Sequence, residues 1–583
     1  MDSRMTPSRD RQIGPAAPPS DEAFPGATLN VESDSSAGPL GPDAERGRIR
    51  VRLESFSYGR VGPLGGSPYG PAPIPVLDDE KNDESPALAD ILLDAAPGTL
   101  TLLCGSSGSG KSTVLRLLNG LVPHFHAGRL IGEVRVSGVD VPATDLSQAG
   151  RTTSTVFQNP RTQFFTPLVS SELAFRGENY GIAPDEIISA GLLALEELGI
   201  ADLWTRPLSS LSGGELQKVA CAQAMAAGTP VLLLDEPTSN LSPAAIREFT
   251  RILEGMKASG MTIVIAEHRL HFLRKFVDEA LLIEGGRILR RWSGEEFRLL
   301  EEGDRIRFGL RTLTAPADPL SDPGWARARE TGAVTAAASR SMTKEAAEDA
   351  GEMNEDAALR GLEVRDLRFS YGRRRVLDIE SLSFPSGSVT AVVGDNGAGK
   401  STLCRVLVGL ERAERGTWIG LDGTRAGAGA RLAASAMVMQ DVHRQLFSDT
   451  VRGEVVLGLT PDHLGGVDVE ALLERFALAE FADRHPLSLS GGQKQRLTVA
   501  AAVARGARVH VFDEPTSGVD HRQLVEIGAQ LRDIAEGGGV VIVVTHDPEL
   551  VAECADRIVH LRPLDASLAE GRPQAELLIR VGS

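Results

Sequence analysis

The chain has 583 residues, of which 42% are hydrophobic and only 4% aromatic, so it suits two to four domains with aliphatic cores. Its net charge of −18 argues against a general nucleic-acid binder, which needs a basic surface. The four cysteines, Cys104, Cys221, Cys404 and Cys554, form no C-x-x-C pair; this argues against a zinc ribbon or disulfide scaffold and reads as small buried residues in a reducing cytosol.

Residues 1–47 are rich in Pro, Ser, Asp and Arg and lack an apolar stretch, so they read as a disordered tail and not as a signal peptide. A first folded unit is expected over 48–309. Tyr58 precedes Lys111 by 53 residues, whereas Tyr371 precedes Lys400 by 29. The difference places an insertion near 59–84, whose Gly, Pro and Asp predict a surface loop. The strand predicted at Thr99–Cys104 runs into Gly105, Ser106, Ser107, Gly108, Ser109, Gly110, Lys111, Ser112 and Thr113, and a helix follows. Strand, Gly-rich loop and helix in that order make a P-loop. Its backbone N–H groups wrap phosphates, Lys111 reaches the β- and γ-phosphates of ATP, and Ser112 binds Mg²⁺. The helix N-terminus adds a favourable dipole.

From Gln158 to Leu211 the chain reads as a small helical subdomain. LSGGELQK then begins at Leu211. Ser212 suits a helix N-cap, and Gly213 and Gly214 expose backbone N–H groups. As structure alone this is a capped helix start. As chemistry it is an anion site without its own lysine, fit for a γ-phosphate held mainly by another domain. The apolar strand Val231–Leu234 ends in Asp235 and Glu236. Two adjacent acids there are costly unless they work. Asp235 suits Mg²⁺, and Glu236 suits a general base that orients water; helix capping ahead of Pro237 is the plainer alternative. A further strand at Thr262–Ala266 leads to His268. Apolar runs of this length suit buried strands and fall far short of the roughly 18 residues that cross a bilayer. Residues 310–358, rich in Ala, Pro, Gly and acids, read as a linker.

The second unit, 359–583, repeats the first. Its P-loop is Gly394, Asp395, Asn396, Gly397, Ala398, Gly399, Lys400, Ser401 and Thr402. LSGGQKQR supplies Ser490, Gly491, Gly492 and Gln493, a second strand end supplies Asp513 and Glu514, and His546 closes the series. The span from Gln440 to Leu489 again reads as helical. From Leu211 to Asp235 is 24 residues, as from Leu489 to Asp513; from Asp235 to His268 is 33, as from Asp513 to His546. Four motifs kept in order at kept distances are a duplication.

P-loop, glutamine, LSGG, DEP and late histidine in this order resemble the ATP-binding cassette (ABC) family, over about Arg48–Gly309 and Leu359–Leu561. The resemblance implies an α/β fold of two tandem P-loop NTPase domains. Each would have a RecA-like, mainly parallel sheet core, an antiparallel β part and a helical subdomain. It implies an ATPase with ATP and Mg²⁺ as ligands, working at the cytoplasmic face of a membrane as the motor of a transporter. Gln158 and Gln440 match the lid glutamine that senses Mg²⁺ and the membrane partner. His268 and His546 match the histidine that contacts the γ-phosphate. Tyr58 and Tyr371 match the adenine-stacking aromatic, although tyrosine is commonplace in strands. A head-to-tail sandwich would pair Lys111 with Ser490–Gln493 and Lys400 with Ser212–Glu215, both within one chain.

The first half departs from the family pattern twice: Ser242 stands where the second half has Asp520, and Glu215 replaces the usual glutamine. Both changes would converge on the site of Lys400, Glu514 and His546, predicting a slower site. Glu215 would weaken closure only if it points inward, since an acid in the first turn also stabilises its own helix, while Ser242 has no charge with which to fix the interface as Asp520 could. FQNPRTQFF at Phe157–Phe165 and MQDVHRQLF at Met439–Phe447, each followed by Glu172 or Glu454, resemble the ATPases of energy-coupling-factor importers. In that group a transmembrane coupling subunit holds a small membrane substrate-binding subunit, and vitamins or cobalt and nickel ions are carried. The rival is the soluble tandem-cassette branch that acts on ribosomes through a basic linker. Arg311–Ala358, with five basic and nine acidic residues, is a poor arm for RNA. Chromosome and repair ATPases interrupt a cassette with zinc modules or coiled coils, and neither pattern is present.

Overall fold

The computed structural model describes residues 45–59, 86–158, 160–239, 241–318, 320–327, 361–439, 445–459, 464–489 and 491–580. Gln440, Ser490, most of the 59–84 insertion, nearly all of the N-terminal tail and residues 328–358 of the linker lie outside the described residues.

In the first half, β1 (Ile49–Tyr58), β2 (Leu88–Ala95), β4 (Gly128–Val136) and β5 (Val139–Asp140) form an antiparallel sheet in the order β2-β1-β4-β5. The second sheet runs β10-β9-β3-β8-β7-β6. Its strands are β3 (Leu100–Cys104), β6 (Thr153–Val156), β7 (Val231–Asp235), β8 (Thr262–Ala266), β9 (Glu279–Glu284) and β10 (Arg287–Ser293). All its pairs are parallel except β9 with β10.

The continuous apolar runs of β3, β7 and β8 follow from burial on both faces. Successive side chains alternate sides. Leu232 and Leu234 enter one hydrophobic cluster, with the helical subdomain, while Val231 and Leu233 enter another, with the antiparallel sheet. Helix α1 (Lys111–Leu118) leaves β3 through the P-loop. The subdomain holds α2 (Val169–Asn179), α3 (Pro184–Glu197) and the start of α4 (Gly213–Ala226); α5 (Pro243–Ala258) packs beside α4.

The second half repeats this plan. The antiparallel sheet is β13-β12-β15-β16, from β12 (Gly361–Tyr371), β13 (Arg374–Pro385), β15 (Trp418–Leu421) and β16 (Thr424–Arg425). The core strands are β14 (Ser388–Val393), β17 (Ser435–Val438), β18 (Val509–Asp513), β19 (Val540–Val544), β20 (Arg557–Leu561) and β21 (Ala575–Arg580). Its helices include α6 (Lys400–Val408), α7 (Val451–Val456), α8 (Val469–Arg475), α9 (Gly491–Ala504), α10 (His521–Glu536) and α11 (Pro548–Cys554).

The stretch read as a linker is not all linker. Trp325–Arg327 forms β11, which pairs antiparallel with β21 at the edge of the second half's sheet. Trp325 packs on a cluster with Val551 and Ile558, and Arg580 lies over its ring. An unpaired edge exposes backbone donors and acceptors, and β11 covers this one. All four cysteines are buried and unpaired. Among the described residues no helix is long and apolar enough to cross a membrane.

Candidate nucleotide-binding and catalytic site

Each P-loop begins on a glycine that no other residue replaces. Gly105 has φ of 134° and an added Cβ would lie 2.0 Å from the carbonyl oxygen of Ile283; Gly394 has φ of 146° and the same 2.0 Å clash with Leu561. The loop then curls round its lysine. Lys111 Nζ donates to the carbonyls of Gly105 (3.0 Å) and Ser106 (2.8 Å). Lys400 Nζ donates to those of Gly394 (2.7 Å) and Asp395 (3.0 Å), and also lies 3.0 Å from His546 Nε2. Burial pulls both ammonium groups below their ordinary range, against the acids around them.

Ser112 and Asp235, named from the two ends of the motif series, meet: Ser112 Oγ donates to Asp235 Oδ1 at 2.9 Å. Ser401 likewise donates to Asp513, which offsets part of the rise that burial causes in that carboxyl. Asp235 is pushed up to about 6 by burial and then by Glu236. Glu236 and Glu514 are each raised by burial to about 7. His268 and His546 fall to about 3, by burial and then by the nearby lysine, and are neutral imidazoles at physiological pH.

Glu236 is the meeting point of the first site. Gln158 Nε2 donates to its Oε2 at 2.8 Å, and His268 Nε2 lies 3.3 Å from its Oε1. That contact lacks hydrogen-bond geometry, so His268 Nε2 is buried without a hydrogen-bond partner among the described residues. Ser109 Oγ of the P-loop is in the same state. In the second site His546 Nε2 lies 3.7 Å from Glu514 Oε1, and the backbone N–H of His546 donates to Glu514 Oε2 at 3.3 Å.

The two halves meet head to tail at the first site. Ser107 N donates to Asp520 Oδ2 at 3.0 Å, and Ser107 Oγ donates to the Gly518 carbonyl at 3.1 Å. Asp520 also caps α10 through Gln523 N. Its counterpart Ser242 caps α5 through Ala245 N, at 3.3 Å, and brings no charge.

Glu215 turns onto its own helix. Its Oε2 accepts from Ser212 N and Ser212 Oγ, both at 2.7 Å, and Ser212 Oγ accepts from Glu215 N: a capping box. The expectation that Glu215 places a carboxylate toward a triphosphate is therefore corrected. Reciprocal bonding at the helix start satisfies two orphan N–H groups and holds the acid there.

Tyr58 and Tyr371 end their strands 39% and 46% exposed, each edge-on to the phenylalanine two residues earlier. Both leave a ring open to solvent, and Tyr58 Oη bonds Thr113 Oγ1 on the first P-loop helix at 3.0 Å.

Glu267 and Arg269 stand in the stretch AEHR, Ala266–Arg269, with no role of their own legible there, and Gly518, Asp547 and Arg311 belong to this site without any motif to mark them. Glu267 and Asp547 are buried acids that bond the threonine of the DEPT segment, Thr238 Oγ1 at 2.7 Å and Thr516 Oγ1 at 2.8 Å. They flank the two histidines on opposite sides. The mismatch of EHR against THD was the only signal in the sequence.

A family model described as ABC transporter matches residues 88–239 and 377–517. A Treponema denticola protein named as an ABC transporter ATP-binding protein is 37% identical over 474 residues, 81% of this chain and 91% of its own. A Bacillus subtilis protein, YkoD, named for HMP/thiamine import, is 32% identical over 503 residues, 85% of this chain and 90% of its own. The solved structure of the RNase-L Inhibitor matches with a TM-score of 0.51 over 85% of this chain and 94% of that one; at 20% identity it shares the fold alone.

Proposed function

As a member of the ABC transporter family and an ATPase of that family, the chain is one for which we propose the role of motor in an energy-coupling-factor importer of a vitamin or transition-metal ion. The reading places it on the cytoplasmic face of the membrane, beneath a transmembrane coupling subunit and a small substrate-binding subunit. A relative named for HMP/thiamine import, similar along most of its length, supports the vitamin branch.

The residues present suit ATP and Mg²⁺. Among the described residues buried His268 Nε2 and Ser109 Oγ lack partners, as groups made for a phosphate would. Paired acids at each strand end, raised by burial, call for a cation. In this reading Ser112 and Asp235, or Ser401 and Asp513, hold Mg²⁺, which would neutralise triphosphate charge when bound. Lys111 and Lys400 swing from their loop carbonyls to the phosphates. Glu236 and Glu514 orient the attacking water, with Gln158 and the neutral histidines fixing their direction. Ser212–Gly214 and Gly491–Gln493 would close over the opposite half's nucleotide.

One observation carries the transporter assignment. Gln163 Oε1 accepts from Phe157 N at 3.0 Å, and Glu172 Oε2 accepts from Phe165 N and Thr166 N at 2.9 Å. Gln445 and Glu454 do the same for Met439, Phe447 and Ser448. Two tied loops thus turn Phe164 and Leu446 toward the cores and leave Phe165 and Phe447 each 76% exposed. A twice-displayed phenylalanine whose own N–H is tied to a buried glutamate is a docking anchor and a poor solvent-facing residue. In the first half a cleft of about 280 Å³ opens nearby, lined by Gln163, Arg176, Tyr180 and Gln223.

The test is co-purification with a coupling subunit co-expressed from the same genome. Phe165→Glu with Phe447→Glu should abolish capture while ATP binding stays within about twofold. Lost ATP binding with capture intact, or sedimentation with ribosomes instead, would overturn the assignment.

A further inference from the structure

The residue after the histidine differs in charge between the halves: Arg269 in the first, Asp547 in the second. The difference follows from the exchange of acids. In the second half Asp547 binds Thr516, whereas in the first Glu267 binds Thr238 from the other side of the histidine. Position 269 is thereby released for a cation. Arg269 is only 6% exposed, and its Nη1 donates to the carbonyls of Thr238 (3.1 Å) and Leu241 (3.2 Å). It ties down both ends of the loop that meets the second half, where Ser517 Oγ donates to the Ser239 carbonyl at 3.0 Å. Its charge is felt across the interface by Glu514, His546 and Asp547. The equivalent loop of the second half is fixed differently, by the Asp520 carboxylate on Ser107 N. Ser242 offers no carboxylate for that purpose.

We propose that Arg269, carried by the first half, is a positioning residue for the ATP site of the second: by holding the Thr238 and Leu241 carbonyls it keeps Ser239 on Ser517, whose N–H bonds the Glu514 carbonyl. It does at that site what Asp520 does at the other, by bracing its own loop from behind rather than by reaching across to the opposing P-loop. The inference rests on the reading of Glu514 and His546 as catalytic residues.

Mg²⁺-dependent ATP turnover of the full chain tests it. Arg269→Gln should lower kcat about tenfold or more, the scale of a misplaced but intact catalytic group. KM for ATP should stay within about threefold, since nucleotide contacts are untouched. Arg269→Lys should recover a large part, because a cation can still reach one of the carbonyls. With Glu236→Gln added, the remaining turnover belongs to the Lys400 site and should fall as far; with Glu514→Gln added, it should change little.

Equal losses in both backgrounds with no recovery by lysine would assign Arg269 to folding alone and overturn the proposal. If either glutamine change by itself abolishes turnover, the split of kcat from KM and the lysine recovery decide in the otherwise unaltered chain. An unchanged kcat, or a change in KM alone, then overturns it. Full turnover by the Glu236→Gln, Glu514→Gln chain is a different failure, that of the catalytic acids themselves.

Discussion

Glu236 and Glu514 adopt φ of 46° and 53°, a left-handed backbone that side chains other than glycine rarely take. Their N–H groups bond the last residue of the neighbouring strand, Ala266 or Val544, and this pins the strained turn. Strain and burial at one carboxylate mark a working group more than a structural one. Changing both to Gln should abolish turnover and leave ATP binding intact. The same pair makes stability depend on pH in EDTA without nucleotide. Each carboxyl is raised from 4.5 to about 7, so its contribution is present below 4.5 and lost as pH climbs through 7. His268 and His546, lowered from 6.5 to about 3, act oppositely: their contribution is present above 6.5 and lost as pH falls toward 3. The double Gln chain should therefore be more stable than the parent above pH 7, by about 3 kcal/mol per site, with the gain vanishing below pH 4.5. Denaturant unfolding across pH checks this; a gain independent of pH would refute the burial origin. Gly518 offers a sharper probe of the interface. An added Cβ would lie 2.5 Å from Glu236 Oε2 and 2.6 Å from Gln158 Nε2, at φ of 71°. Both neighbours are ends of flexible side chains, so Gly518→Ala should cost only about 1 kcal/mol of stability. It should nevertheless displace the Glu236 carboxylate and lower kcat about a hundredfold at the Lys111 site. Turnover equal to the parent would show that the two halves do not close this way.

At the scale of elements, helix starts do most of the site's ordering. Gly110 and Gly399 turn the chain into α1 and α6 at positive φ, so that each lysine is the first helical residue and its N–H faces the loop. Ser212 starts α4 with a capping box, Ser242 starts α5, and Asp520 starts α10. The consequence for Glu215 is specific. Its carboxyl is held below its ordinary value; burial opposes this, but the two Ser212 bonds prevail. Glu215→Gln keeps a capping box and should alter neither stability nor turnover beyond about twofold. Ser212→Ala should cost about 1 kcal/mol. A faster Lys400 site in the Glu215→Gln chain would restore the idea that this acid repels nucleotide. The expectation of a slower Lys400 site now rests on Ser242 alone, and single Glu236→Gln and Glu514→Gln chains compared for turnover test it.

At the scale of the molecule, the segment leaving the first half joins the two. Arg311 is 2% exposed and binds both Asp547 oxygens at 2.6 Å and Glu549 at 3.0 Å, while Thr312 N donates to Glu549. Asp547 falls to about 2: burial would raise it, but the Arg311 charge, then that of Arg269, outweighs burial. Its contribution to stability is present above 3.8 and lost as pH falls through 2. Breaking a buried pair strands a charge, so Arg311→Met should cost roughly 3–5 kcal/mol and separate the unfolding of the halves into two transitions. Adding Asp547→Asn should return part of that loss. One cooperative transition in Arg311→Met, seen by calorimetry, would show that the remaining contacts suffice.

The amino-acid sequence by itself determined the fold and its doubling, because both are written in short-range terms. A glycine loop between strand and helix, strand runs buried on both faces and a repeat with kept spacing each need only a few tens of residues to be read. FQNPRTQFF and MQDVHRQLF announced two special loops, but the letters did not say which aromatic faces out. The hydrogen bonds of Gln163, Glu172, Gln445 and Glu454 decide that Phe165 and Phe447 do, while Phe164 and Leu446 turn inward. Glu215 read equally as a site residue or a cap until its bonds to Ser212 were seen. Ser107 reaches Asp520 across 413 residues and Arg311 reaches Asp547 across 236. Residues 325–327 leave a compositional linker to become a strand of the other half. Such pairings carry no local periodicity. They exist only because two independently packed cores are set against each other, so only the tertiary structure decided them.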